Sequence, residues 1–239
     1  FAIIAEPSAG FARVPHPCVC LGARGGYNYT IKVYGKSAHA ATPELGINAM
    51  VDASLIVAEL EKIPPVTDEK LGSSSPCVIS MNGGGAACSV PDYAEVEIFH
   101  HTVRGETQQT IRERVDKAIR AANVRSKIEV VFRQSPAEGF DGGFDAYCID
   151  EDGKYLKILE ATIEKVCRKP VNTAYFQSIG DFNHIGGKLG IPTVLFGADG
   201  DNFHSSDERV DLDSGLEVAL SINQFISEVL CDQEGKNER

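Results

Sequence analysis

The sequence predicts an α/β fold in two interleaved parts, and three observations carry that expectation. Between residues 26 and 135 the hydrophobic pattern runs strand, helix, strand, strand, helix, strand. After residue 135, amphipathic helical stretches alternate with short apolar strands, as in a parallel sheet covered by helices. That second stretch offers only two strands, and the apolar run Phe1–Ala5 at the other end of the chain supplies a third. The βαββαβ block, a ferredoxin-like order, therefore reads as an insertion between two pieces of one α/β domain. The expected boundaries are residues 1–25 for the first piece, 26–135 for the insertion and 136–239 for the second piece. Three strands make a small sheet, and Phe1 opens inside an apolar run with no initiator Met. The first piece is thus expected to be N-terminally incomplete.

Each element has its own signal. The strand Phe1–Ala5 is closed by Glu6-Pro7-Ser8-Ala9-Gly10, and a loop with Pro15, Pro17 and Arg24-Gly25-Gly26 is expected to follow. YNYTIKVY at 27–34 alternates, with Tyr27, Tyr29, Ile31 and Val33 on one face. Helical spacing runs from Pro43 to Ile63, with Thr42 and Pro43 as cap and first-turn pair. A strand at Cys77–Met81, a Gly83-Gly84-Gly85 turn and a strand at Ala94–Val103 come next. A helix over Gly105–Asn123 and a strand at Ile128–Phe132 complete the block. The second piece reads as helix Gly153–Lys169, strand Val171–Phe176, short helix Phe182–Leu189, strand Pro192–Phe196 and closing helix Leu212–Leu230.

Composition narrows the function classes. The 239 residues are 43% hydrophobic, enough for a packed core, and no window approaches the length of a membrane span. The formal charge of −11 disfavours nucleic acid and anionic membrane as partners, because both need a basic face. Seven cysteines, an odd number without a CxxC pair, fit a reducing, cytoplasmic compartment. Cys18-Val-Cys20 reads as two strand-borne thiols.

Two chemistry-bearing residues fall just past the carboxyl ends of apolar strands. Glu6 follows FAIIA, and His204 lies in DGDNFHSSDE after PTVLF. Ligands in open α/β sheets bind at that edge, and a carboxylate with an imidazole suits Zn²⁺. By spacing alone the plainer account is preferred: a helix-capping or Arg-paired Glu6 and a loop-packed His204, since zinc takes three or four ligands. His39, in GKSAHAATP, is a loop histidine near a helix start or a donor to a developing oxyanion. Asp181 reads as a helix N-cap. The glycines at 83–85 lack a following GK[ST], so they form a turn and not a phosphate loop.

The ordered set of motifs resembles the zinc-dependent peptidase and deacylase family of acetylornithine deacetylase, succinyl-diaminopimelate desuccinylase, aminoacylases and certain carboxypeptidases. It comprises AEPS at 5–8, GARGGYNYTIKVYGKSAHAATPELGINAM at 22–50 and GGGAACSVPDYAEVEI at 83–98. RGET at 104–107, GD at 180–181, GIPTVLFG at 190–197 and HSSDE at 204–208 follow in order. The resemblance reverses the reading of Glu6 and His204. It implies a zinc-peptidase-like α/β catalytic domain with an inserted ferredoxin-like lid that dimerises. It further implies Glu6 and His204 as metal ligands, for one or two Zn²⁺ ions with Co²⁺ or Mn²⁺ as alternatives, and His39 as the catalytic lid histidine. Asp207 or Glu208 would steady the His204 ring, and Asp181 would support the site. Cys88, His101 and Gly197 fall at substrate-contacting positions. Cys88 stands where the family often has Asn, and His101 where it often has Arg.

The implied reaction is metal-dependent hydrolysis of an N-acyl amino acid or short peptide. The family's remaining ligands and its general base lie upstream of AEPS and are absent here. The alternative reading is therefore a non-catalytic pseudoenzyme or dimerising scaffold.

Overall fold

The computed structural model describes residues 1–135 and 141–231. Strand β1 (Ala2–Ile4) leads to a short helix α1 (Ser8–Ala12) and to β2 (Cys18–Ala23). Strand β3 (Gly25–Tyr34) is followed by a tight turn at Pro43–Leu45 and helix α2 (Ala49–Glu61). A small hairpin of β4 (Thr67–Asp68) and β5 (Gly72–Ser73) precedes β6 (Ser75–Gly84), β7 (Tyr93–Thr102), α3 (Gln108–Ala122) and β8 (Lys127–Phe132). The chain continues through β9 (Tyr147–Cys148), α4 (Lys154–Cys167), β10 (Asn172–Phe176), a wide helical turn at His184–Lys188 and β11 (Thr193–Leu195). A second hairpin, β12 (Gly200–Asp201) with β13 (Arg209–Val210), leads into α5 (Leu212–Cys231).

The chain divides into two compact units. One runs Phe1–Arg24 and resumes at Tyr147, and the other is Gly25–Ala146. The anticipated 135/136 boundary abuts residues 136–140, which lie outside the described residues. Asp141 bridges to Gln134 and Phe144 to Gly26, so the chain is still in the second unit there.

The second unit is a four-stranded antiparallel sheet in the order β6-β7-β3-β8. In the unit's own numbering that is strand order 2-3-1-4, the arrangement expected of a βαββαβ chain. Period-two alternation buries Tyr27, Tyr29, Ile31 and Val33 of β3 against Ala94, Val96 and Ile98 of β7. Helices α2 and α3 cover that face with Ala53, Ile56, Leu60, Ile111, Val115 and Ala118. Helix α2 starts later than the spacing predicts. Lys36 pairs with Ile47, so Pro43–Leu45 forms only a separate tight turn and the backbone is extended again at Gly46 and Asn48. The Asn48 side chain then caps Met50 and Val51, the role assigned to Thr42 in the sequence. Gly83 and Gly84 pair with Ala94 and Tyr93, so β6 continues through two of the glycines read as a turn.

The first unit's main sheet has the order β1-β11-β2-β10, with β9 pairing to β2. It is mixed rather than parallel: β1 runs parallel to β11 and β10 to β2, while β11 and β2 are antiparallel. An interior strand, β2, carries the two thiols read as strand-borne, Cys18 and Cys20, and runs on to Ala23 through what was expected to be a loop. Cys18-Val-Cys-Leu-Gly-Ala is buried along its whole length, so it shows no alternation to betray it. The core gathers Val19, Leu21, Leu156, Leu159, Ile163, Val194, Leu195, Phe196 and Phe225.

Candidate functional site

Glu6 sits in the bend between β1 and α1, and His204 in the loop joining β12 to β13. Although 198 positions apart, the two line one cavity of about 390 Å³, with Asp181 and Glu208 also in its wall. None of these four side chains has a hydrogen-bond or ion-pair partner among the described residues.

The buried hydroxyl of Ser8 fixes the Glu6 segment. It donates to the Cys18 carbonyl at 2.6 Å and accepts from the Gly197 N–H at 3.4 Å. One side chain thereby ties the start of α1 to β2 and to the residue leaving β11. Gly197 presses directly on the Glu6 backbone, and any Cβ there would collide with the Glu6 carbonyl. The His204 loop is held in an uncommon shape. Asn202, His204 and Asp207 all have φ near +60°, the left-handed region that non-glycine residues enter at a cost. Within it Ser205 N–H and Oγ both donate to the Asn202 carbonyl, at 3.0 and 2.9 Å.

The rest of the cavity wall is aromatic. The Phe203 ring stacks on Phe11 at 4.7 Å, Phe11 meets Phe176 at 4.9 Å, and Phe176 meets Phe182 edge-on at 5.2 Å. The cavity thus joins a carboxylate-rich polar rim to an apolar flank. Carboxylate oxygens and an imidazole nitrogen, none of them occupied by a protein partner, fit the donor chemistry of a divalent cation such as Zn²⁺. The set is open, however. Among the described residues, no three ligand atoms of this cavity lie within 4.8 Å of one another.

Asp181 does not cap. Its backbone carbonyl accepts from the His184 N–H at 3.0 Å, and the Asn183 side chain secures the turn by bonding Gly180 N–H and the Arg24 carbonyl. Asp207 and Gly197 are not in the cavity wall, whereas Glu208 is.

In the other unit, the segment after β3 doubles back beside the β6–β7 connection. His39 bridges to Ser89, Ala40 N–H donates to the Cys88 carbonyl, and Val90 N–H donates to the Ala38 carbonyl, both at 2.8 Å. His39 and Cys88 are thus brought together, both exposed. His39 Nδ1 accepts from the Ala41 N–H at 3.1 Å. That bond places the neutral ring's proton on Nε2, which is free to donate. Cys88 also has a left-handed φ, +61°.

His101 is not part of this pair. It lies eight residues along β7 from Tyr93, where the Cys88 loop enters, roughly 27 Å at the rise of an antiparallel strand. Its ring packs against Phe99 at 4.8 Å.

Residues 21–127 match the family model of the peptidase dimerisation domain, M20_dimer. The match covers a little under half of the chain. Solved structures extend the likeness to the fold of the whole chain. A tripeptidase from Staphylococcus aureus superposes with a TM-score of 0.76 at 22% identity, over 96% of this chain and 57% of its own. An M20 family metallo-carboxypeptidase from Sulfolobus solfataricus gives 0.67 at 15%, over 94% and 62%. A dinuclear metal binding peptidase of the M20 family from Bacillus subtilis gives 0.64 at 16%, over 95% and 56%. The family assignment made from the ordered motifs is borne out, and the chain spans little more than half the length of these relatives.

The M20 dimerisation domain thus carries His39, Cys88 and His101, while the other unit carries Glu6, Asp181, His204 and Glu208. Sequence reasoning missed the aromatic flank and Ser8. The phenylalanines are scattered over positions 11, 176, 182 and 203, so no local pattern joins them. Ser8 was legible only as the last letter of AEPS.

Proposed function

We propose that this chain forms part of a metal-dependent hydrolase that cleaves the amide bond of an N-acyl amino acid or short peptide. The observation that carries the reading is the shared cavity of Glu6 and His204, whose side chains have no protein partner among the described residues. Glu6 and His204 would hold the metal ion, Zn²⁺ or else Co²⁺ or Mn²⁺, with Asp181 and Glu208 lining the same cavity. When bound, the ion supplies Lewis-acid polarisation of the scissile carbonyl.

The chain's own residues do the rest. The Phe11, Phe176 and Phe203 flank seats an apolar part of the substrate and excludes water. His39, with its proton on Nε2, donates a hydrogen bond to the carbonyl oxygen as negative charge builds there. Cys88, next to His39, touches the substrate beside that oxygen, and His101 contributes at a separate point.

The dimerisation domain pairs two copies. An edge strand β6 exposing Ile79 and Met81, together with Val51 and Leu55 exposed on α2, supports that role. His39 of one copy then serves the cavity of the other. All seven cysteines are free, which supports a reducing, cytoplasmic setting. No helix among the described residues is long and apolar enough to cross a membrane.

A second reading, a dimerising scaffold without catalysis, draws on the open ligand set of the cavity and on Cys88. One experiment decides between them. The 239-residue chain and any longer product of the same reading frame are stripped of metal and assayed on N-acyl amino acids and di- and tripeptides. Hydrolysis restored by Zn²⁺, Co²⁺ or Mn²⁺ supports the hydrolase. Dimers with no turnover under any metal support the scaffold.

A further inference from the structure

The three most convergent ligand atoms in the described residues lie elsewhere. His16, Cys167 and Glu217 each present one donor, and all three donors fall within 4.8 Å of one another. None of the three lines the cavity of Glu6 and His204. We propose that His16, Cys167 and Glu217 form a second metal site, built for a single Zn²⁺-class ion.

The three come from distant parts of the chain. His16 lies in the connection from α1 to β2, Cys167 is the last residue of α4, and Glu217 is in the second turn of α5. Their convergence is fixed by the fold. Helices α4 and α5 pack together, with Thr162 Oγ1 donating to Glu228 at 3.2 Å. The His16 segment is clamped on both sides, because the Asn172 side chain donates to the Pro15 carbonyl at 2.9 Å and to the Pro17 carbonyl at 3.4 Å. The Asn172 backbone N–H adds a third bond, to Pro17, at 2.9 Å. The imidazole lies nearly parallel to the Phe196 ring, at 13°. A metal ligand benefits from this kind of outer support.

The donor set is chemically selective. A thiolate, an imidazole and a carboxylate suit Zn²⁺ and disfavour Mg²⁺ and Ca²⁺, which take oxygen ligands. His16 Nε2 and Glu217 Oε2 bond to each other at 3.1 Å, a separation that two ligands of a tetrahedral Zn²⁺ ion also adopt, so the ion would replace that bond without moving either side chain far. The Cys167 and His16 side chains are buried while Glu217 is part-exposed, which gives the ion a way in from solvent. Binding turns the thiol into a thiolate and releases one proton. The ion would act as a staple, joining the α1–β2 connection to both helices.

The test uses Co²⁺ as a spectroscopic probe on the metal-stripped chain. One equivalent should produce a thiolate-to-cobalt charge-transfer band in the near ultraviolet, and added Zn²⁺ should bleach it. The band should vanish in Cys167→Ser with unchanged circular dichroism, weaken in Glu217→Gln, and persist in His204→Ala. Zn²⁺ should raise the melting temperature of the wild-type chain and not of Cys167→Ser. Absence of the band at stoichiometric Co²⁺, or its survival in Cys167→Ser, overturns the proposal. If Cys167→Ser does not fold, Glu217→Gln decides: a Co²⁺ titration identical to wild type overturns the site.

Discussion

The Nδ1 atom of His39 accepts a hydrogen bond from the Ala41 backbone N–H, at 3.1 Å. A ring held this way keeps its proton on Nε2, and the residue is exposed. His39→Ala should therefore lower kcat by ~10²–10³ with little change in KM, because the lost donor acts on charge present only in the transition state. Steady-state kinetics on the metal-restored enzyme checks this. Mixing His39→Ala with His204→Ala copies should return activity towards half the wild-type rate per heterodimer, since one site is then intact. Heterodimers that form yet stay inactive would place His39 in its own subunit's site, or in none.

Cys88 carries φ of +61° on an exposed loop. Asparagine enters that region far more readily than cysteine. Cys88→Asn should stabilise the dimerisation domain by up to about 1 kcal/mol, measured by chemical denaturation. A loss of stability would mean that the thiol makes a contact of its own.

Ser8→Ala removes the acceptor of the Gly197 N–H and the donor to the Cys18 carbonyl, both in a fully buried place. Leaving those groups unpaired should cost about 1–3 kcal/mol. It should also weaken metal binding, because Ser8 anchors the turn that carries Glu6. Unchanged stability together with unchanged metal affinity would remove Ser8 from the account.

His100 is fully buried on β7, and neither ring nitrogen has a partner among the described residues. Burial first, then the charges of Arg114 and His101, push its pKa down from 6.5 to about 4. Between those values the unfolded chain takes up a proton that the folded chain refuses. Stability therefore falls as pH drops from 6.5 to about 4, by up to about 1.4 kcal/mol per pH unit from this residue. His100→Phe has no proton to gain, so urea melts across the window should show a shallower loss than wild type. Parallel curves would contradict the assignment.

What the sequence revealed and what it hid follow from burial. The amphipathic elements of the dimerisation domain were readable, because each turns one face to solvent and its period shows. Strand β2 was readable only as the two strand-borne thiols Cys18 and Cys20; its full extent was hidden, because it is buried on both faces. The start of α2 was displaced because the Lys36–Ile47 bridge, a contact between distant residues, overrode the local Thr42-Pro43 signal. Glu6 and His204 were noticed through their position at strand ends, but only the resemblance carried by the ordered motifs turned them from loop residues into expected metal ligands. The His16, Cys167 and Glu217 cluster was invisible, since nothing local links residues separated by 151 and 50 positions.

The central claim is that Glu6 and His204 hold a metal ion used in amide hydrolysis, and one paired measurement tests it most directly. Metal content and turnover are determined together for wild type and His204→Ala, in the longest active product of the reading frame. The account predicts that His204→Ala loses about one equivalent of metal and essentially all activity, because His204 is the only histidine in the cavity wall among the described residues. Full metal content with a near-normal rate in that variant would contradict it.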